Sequence, residues 1–131
     1  MTEEELKQRT KQFALRVMKL VDALPNSRSG RAIGNQLVRS ATSVGANYRA
    51  ACRGRSKREF VAKLGTVEEE ADESAYWLEL IIDGGLFKKD RVRPLLQEAE
   101  ELTKIMAASR QTAKARLNPI ANRKSQIENP T

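Results

Sequence analysis

Apolar residues recur at spacings of three and four along most of this chain, in four stretches separated by glycine, proline and polar residues. That spacing puts them on one side of an α-helix and does not fit the strict alternation of a half-buried strand. The stretches predict helices over residues 3–24, 30–53, 57–83 and 90–117. Because the connections are short, the sequence predicts an all-α, antiparallel up-down-up-down four-helix bundle.

Residues that start and stop helices mark the same boundaries. Pro25 ends the first helix, because proline disfavours helical backbone at the residue before it. Ser56 and Glu59 have the spacing of a capping box at the start of the third helix. Two consecutive glycines after residue 83 predict a left-handed cap at its end. We expect Asp90 to cap the fourth helix and Pro94 to lie in its first turn.

One bundle domain is predicted over residues 1–117, followed by a flexible C-terminal tail over residues 118–131, which is polar and contains two prolines. No stretch has the ~20 apolar residues of a membrane span. The first residues are acidic and do not resemble a secretion signal. We therefore expect a cytoplasmic protein with no membrane partner.

The composition argues against an enzyme. The chain has no histidine and one cysteine, Cys52, which removes most acid–base and metal-binding chemistry and any internal disulfide. The glutamates of residues 68–79 would need inward-facing histidines to form a di-iron site, so we expect no metal and no cofactor. Cys52 is expected to be a small buried side chain; the alternative is a reactive thiol whose pKa is lowered by Arg49 and Arg53.

The net charge of +7 is unevenly distributed. Residues 28–63 contain nine basic side chains and one acidic one, whereas residues 64–83 contain seven acidic side chains and no basic one. A basic block is typical of proteins that bind a polyanion such as nucleic acid. The alternative is that the two blocks neutralise each other, within one subunit or between two.

On a helical wheel, the arginines of the second helix gather on one outward edge, opposite its apolar side. The planar guanidinium fork suits phosphate oxygens, and further basic residues continue past the following turn. Few aromatic residues are available for stacking, so we expect phosphate contacts with little base readout. A solvated or salt-bridged surface, or an acidic protein partner, remains an alternative. The predicted nucleic-acid-binding residues are Arg28, Arg31, Arg39, Arg49, Arg53, Arg55, Lys57 and Arg58.

A second candidate surface lies on the outer side of the third helix, where apolar and acidic residues alternate. Such a mixture on an exposed face is typical of a protein interface, and a second copy of the chain is the simplest partner. The alternative is that Trp77 packs at the rim of the bundle. The predicted interface residues are Val61, Glu69, Glu73, Tyr76, Trp77 and Leu80.

Two segments carry a family resemblance, QLVRSATSVGAN at residues 36–47 and GRSKREF at residues 54–60. They resemble landmarks of the bacterial four-helix-bundle proteins encoded in intervening sequences of large-subunit ribosomal RNA genes. That family is similar in fold to the accessory protein of diversity-generating retroelements. The resemblance covers about residues 6–115. Residues 48–52 depart from it, with YRAAC where the family often has an acid and a glycine.

The resemblance implies a homopentamer with a basic surface for RNA or DNA, a possible reverse transcriptase partner and no enzymatic activity. We therefore expect a non-enzymatic, oligomeric bundle that binds structured RNA or duplex DNA through phosphate contacts. The alternative is a protein-interaction or scaffold module whose basic and acidic faces mediate self-assembly or docking to a partner such as a reverse transcriptase.

Overall fold

The protein, described here by a computed structural model over residues 1–117, consists of four helices. Helix α1 spans Glu3–Ala23, α2 spans Arg28–Cys52, α3 spans Lys57–Asp83 and α4 spans Lys89–Leu117. Each helix packs against its two neighbours, most extensively along α2–α3 and α3–α4 and least along α1–α4. The arrangement confirms the predicted all-α four-helix bundle. The predicted C-terminal tail lies outside the described residues.

Local side-chain chemistry explains most of the helix ends. The Ser56 hydroxyl accepts a hydrogen bond from the Glu59 backbone N–H at 3.1 Å, as a capping box requires. The Glu59 carboxylate accepts from the Arg55 N–H at 2.7 Å, one residue earlier than the standard motif, so the box extends back into the loop. Gly85 has φ +65° and confirms the predicted left-handed glycine after α3.

The start of α4 differs from the prediction. The helix begins at Lys89, so Asp90 lies inside the first turn and Pro94 lies in the second turn. The Val92 N–H donates to the Lys88 carbonyl, which shows that the helical pattern is established before Asp90. The negative charge of Asp90 then interacts favourably with the helix dipole instead of capping the helix.

The core lies along one side of each helix. Along α3 the buried positions alternate by three and four residues as far as Ile81, which is fully buried, whereas the neighbouring Ile82 is half-buried. Val92 of α4 is also fully buried. The buried hydroxyls of Ser40 and Ser74 lie 2.9 Å apart and join α2 to α3 inside this apolar core.

Candidate nucleic-acid interface

All eight predicted phosphate-contacting residues are exposed. Those on α2 are exposed because α2 buries the opposite side of its wheel. The buried side carries Leu37, Ala41 and Val44, and the basic side chains point away from them. The eight side chains do not form one uniform surface. They fall into three environments that depend on which neighbouring helix faces α2.

The first environment is an open groove of about 540 Å³ between α1 and α2. Arg49 and Arg53 line it from α2, and Lys7 and Lys11 line it from α1. Glu4 is the one acidic residue in its lining. None of the four cations forms an ion pair with another residue between positions 1 and 117. The groove therefore carries an excess of positive charge, with four cations and one carboxylate in its lining.

Small side chains let the two helices of this groove approach closely. A Cβ atom at Gly45 would lie 3.3 Å from the Thr10 hydroxyl oxygen, tighter than an ordinary contact. The Thr10 hydroxyl turns back to its own helix and donates to the carbonyls of Leu6 and Lys7. With Gly45 and Ala46 in the groove lining, the long basic side chains stand above a shallow floor.

The second environment is the α2–α3 side, where Arg39 is already paired. Its guanidinium donates to the Glu70 carboxylate at 3.3 Å and to the Glu73 carboxylate. The hydrogen bond to Glu73 raises the pKa of the guanidinium further. Arg39 therefore differs from the rest of the predicted set, because α3 supplies its counter-charge. At Arg39, therefore, the basic and acidic blocks neutralise each other, as the alternative interpretation of the basic block expects.

The third environment comprises the two ends of α2. Arg31 donates to the side-chain and backbone oxygens of Asn26 at 2.9 and 3.3 Å, which holds its guanidinium over the α1–α2 turn. The remaining residues lie at the helix start or around the α2–α3 turn, and all are exposed. They are Arg28, Arg55, Lys57 and Arg58.

The predicted interface on α3 is divided as well. Tyr76 is 52% exposed and meets Trp77 edge-on, with ring centroids 5.1 Å apart. The Trp77 indole donates to the same Glu73 carboxylate that holds Arg39, at 2.9 Å. Leu80 is half-buried on this helix. Glu73 and Trp77 thus lie on the side of α3 that faces α2, and Tyr76 lies on the outer side. Leu80 lies one turn from this pair on the same helix.

Val61 and Glu69 belong to a different surface, an open groove of about 640 Å³ between α3 and α4. Glu68, in the same groove, accepts a hydrogen bond from Arg110 at 2.8 Å. Acidic residues of α3 and basic residues of α4 therefore face each other across it. The six predicted interface residues do not converge on one patch.

Cys52 is half-buried, and burial raises the pKa of its thiol. The raised pKa argues against the alternative of a reactive thiol, because burial is the largest cause of the shift and neither Arg49 nor Arg53 is among the groups that lower the pKa. Among residues 1–117, no three metal-ligating side chains are grouped as a metal site would require. No helix in the same range is long and apolar enough to cross a bilayer.

The sequence analysis missed Lys7 and Lys11 because it placed charges on the wheel of α2 alone. The signal was present in α1, whose residues 6–21 contain five basic side chains and no acidic one. Consecutive helices of a bundle are neighbours, so some of these basic residues could be expected beside α2.

Comparisons with known proteins agree with this fold. A family model described as "23S rRNA-intervening sequence protein" matches residues 2–108. A crystal structure of a protein with unknown function from the S23 ribosomal protein family of Bacteroides thetaiotaomicron is 30% identical, with a TM-score of 0.78. The match covers 85% of this chain and 99% of that one. No curated protein matches this chain in sequence. With four packed helices and a family match over most of its length, the chain belongs to the 23S rRNA-intervening sequence protein family.

Proposed function

We propose that this protein binds nucleic acid through its phosphate backbone, without enzymatic activity and with little base specificity. The observation that carries the proposal is the α1–α2 groove, where Lys7, Lys11, Arg49 and Arg53 stand together against a single acidic side chain. Four cations with no partner among the described residues repel one another, and a polyanion relieves that repulsion. Structured RNA and duplex DNA both offer the required array of phosphates.

The side-chain chemistry favours phosphate over other anions. Each arginine presents a planar fork of N–H donors that matches two phosphate oxygens, and each lysine acts as a compact point charge. Each phosphate neutralised by the protein releases condensed counterions, which makes the affinity strongly dependent on salt. The exposed residues at the ends of α2 extend the same positive surface. Arg39 contributes less, because its charge is already balanced by α3.

The test compares two double variants that each remove two positive charges. Arg49→Ala/Arg53→Ala empties the α2 side of the groove, whereas Arg93→Ala/Lys104→Ala removes two exposed charges from the outer face of α4. Affinity for a fluorescent RNA hairpin and for a DNA duplex is measured between 50 and 200 mM salt. We expect the slope of log affinity against log salt to flatten by about two only in the first variant. Affinity that does not change over that salt range contradicts the proposal.

A second candidate function, self-assembly or partner docking, is favoured by the exposed Tyr76 and its contact with Trp77. Tyrosine and tryptophan are enriched at the energetic centres of protein interfaces. We propose that the outer side of α3 joins copies of this chain, in the homopentamer that the family resemblance implies. Light scattering on Tyr76→Ser should then report smaller particles than the unaltered protein. Unchanged particle size contradicts the use of this face.

Charge reversal separates the two functions. Arg49→Glu/Arg53→Glu should abolish retention of nucleic acid and leave the particle size in light scattering unchanged. If the reversal instead dissociates the protein while nucleic-acid binding is retained, the basic groove is an assembly surface.

A further inference from the structure

A second basic groove lies on the other side of α1. It is an open groove of about 240 Å³ between α1 and α4, and its lining contains three cations and no acidic side chain. Arg16 and Lys19 come from α1 and Arg91 comes from α4. The floor of this groove is apolar and includes Phe87. None of the three cations is ion-paired within residues 1–117.

The outer face of α1 between the two grooves is unusual in composition. Of the five basic residues over positions 6–21, Arg9 alone forms an ion pair within residues 1–117, with Glu98 at 2.7 Å and Glu101 at 3.0 Å. The same face exposes two apolar side chains, Leu15 at 42% and Met18 at 44%. Helix α1 is therefore a ridge that presents apolar groups along its outer side and unpaired cations on both flanks.

The dimensions of this ridge match one form of nucleic acid. An α-helix with its side chains is ~10–12 Å across. The major groove of B-form DNA is ~12 Å wide, admits an α-helix and is bordered by a phosphate strand on each side. The major groove of A-form RNA is deep and too narrow for side chains to read. A single strand needs exposed aromatic platforms, and the only aromatic residue of α1, Phe13, is fully buried.

We propose that α1 is the DNA-contacting helix and lies along the major groove of B-form duplex DNA. The cations of the α1–α2 groove hold the phosphates of one strand, and those of the α1–α4 groove hold the phosphates of the other. Leu15 and Met18 face the base edges between them, where apolar side chains contact thymine methyl groups. This inference rests on the proposed nucleic-acid binding and specifies its substrate and footprint.

The first experiment tests the second groove. Arg16→Ala/Arg91→Ala is compared with the Arg93→Ala/Lys104→Ala control in binding to a 20-base-pair fluorescent DNA duplex. We expect the salt slope to flatten by about two relative to the control. A slope equal to that of the control overturns the inference. If Arg49→Ala/Arg53→Ala still flattens the slope in that case, the proposed function stands and only the α1 footprint fails.

The second experiment tests the form of the nucleic acid. Unaltered protein is titrated with the same sequence as duplex DNA, as duplex RNA and as one DNA strand. We expect the DNA duplex to bind most tightly at equal salt. Equal or tighter binding of the RNA duplex or the single strand overturns the major-groove geometry. Binding to phosphatidylserine vesicles without binding to the DNA duplex overturns it as well, because cations beside exposed apolar groups also suit an anionic bilayer surface.

The third experiment tests the apolar contact. Leu15→Ala/Met18→Ala should weaken DNA binding on the order of fivefold through lost apolar burial, with no change in salt slope. Both side chains are substantially exposed, so the fold should tolerate the substitutions, and circular dichroism checks this. The matched control is Gln97→Ala/Gln111→Ala, which changes two exposed side chains of α4 outside both grooves. Affinity equal to that of the control overturns the placement of α1 against the bases.

Discussion

Helix α2 carries arginines toward both of its neighbours, and the two sides differ in what faces them. On the α1 side, Arg49 and Arg53 meet Lys7 and Lys11 across an open groove. On the α3 side, Arg39 meets the carboxylates of Glu70 and Glu73. The same residue type on the same helix is a potential ligand contact in one place and a structural ion pair in the other.

The difference teaches that a basic block in a sequence is not yet a basic surface. The neighbouring helix decides whether each charge is compensated: α1 contributes one acidic residue, Glu4, to its groove with α2, whereas α3 pairs Glu70 and Glu73 with Arg39. The α2–α3 side is also joined by the buried Ser40–Ser74 contact, whereas the α1–α2 side has no equivalent hydroxyl pair among the described residues. One side of α2 is built for internal cohesion, and the other leaves its charge available.

The largest expected difference between the two sides of α2 is in nucleic-acid affinity. We expect Arg49→Ala/Arg53→Ala to reduce nucleic-acid affinity by roughly tenfold to a hundredfold near 100 mM salt, because two phosphate contacts are lost. Arg39→Ala should change the affinity by less than about twofold, since its charge is already balanced. Fluorescence anisotropy measures both, and equal losses per arginine removed would show that the two sides of α2 are equivalent.

The next effect concerns stability across the α2–α3 side. Ser40→Ala and Ser74→Ala should each lower the free energy of unfolding by about 1 kcal/mol, because a buried hydroxyl loses a partner. The double variant should cost less than the sum of the single variants, since the two changes remove one shared contact. Urea denaturation provides the values. Strict additivity would mean that the hydroxyl pair does not couple the helices.

A smaller effect is expected when the charge of Arg39 on the α3 side of α2 is made available, as the charges on the α1 side already are. Glu73→Gln removes one counter-charge of Arg39 and so frees part of its positive charge. We expect nucleic-acid affinity to rise several-fold and the salt slope to steepen by about one or less. Glu68→Gln is the matched control, because it removes the counter-charge of Arg110 on the α3–α4 side of the bundle, away from α1. A gain no greater than in this control would contradict the compensation of Arg39 by α3.

The smallest effect is on thiol chemistry at Cys52, near the α1–α2 groove. Its raised pKa leaves less thiolate at any pH below that pKa than an ordinary cysteine has. Iodoacetamide at pH 8 should therefore react several-fold more slowly with the folded protein than with the same protein in denaturing urea. A folded protein that reacts as fast as the unfolded chain would contradict the raised pKa of the thiol.

Much of the fold could be predicted from local pattern. The capping serine at position 56 and the glycine at position 85 depend on neighbours in sequence, and both are found as expected. The burial of Ile81 instead of Ile82 depends on the direction from which α2 and α4 approach α3, which a single-helix wheel does not contain. For the same reason the pairing of Arg39 and the cations of α1 were not predictable from the wheel of α2.

The Ser40–Ser74 contact has a consequence for how the bundle can move. Sliding α2 past α3 by one turn, ~5.4 Å, would separate the two oxygens and leave each hydroxyl with the carbonyl of its own helix, that of Leu37 for Ser40 and that of Glu70 for Ser74. Only one longitudinal register of these helices therefore keeps the hydrogen bond between them. The Thr10 hydroxyl donates to carbonyls of α1 itself, so it does not fix the register of α1 against α2. A shift of α1 along the bundle would leave the Ser40–Ser74 contact between α2 and α3 intact and would instead break the ion pairs of Arg9 with Glu98 and Glu101 of α4.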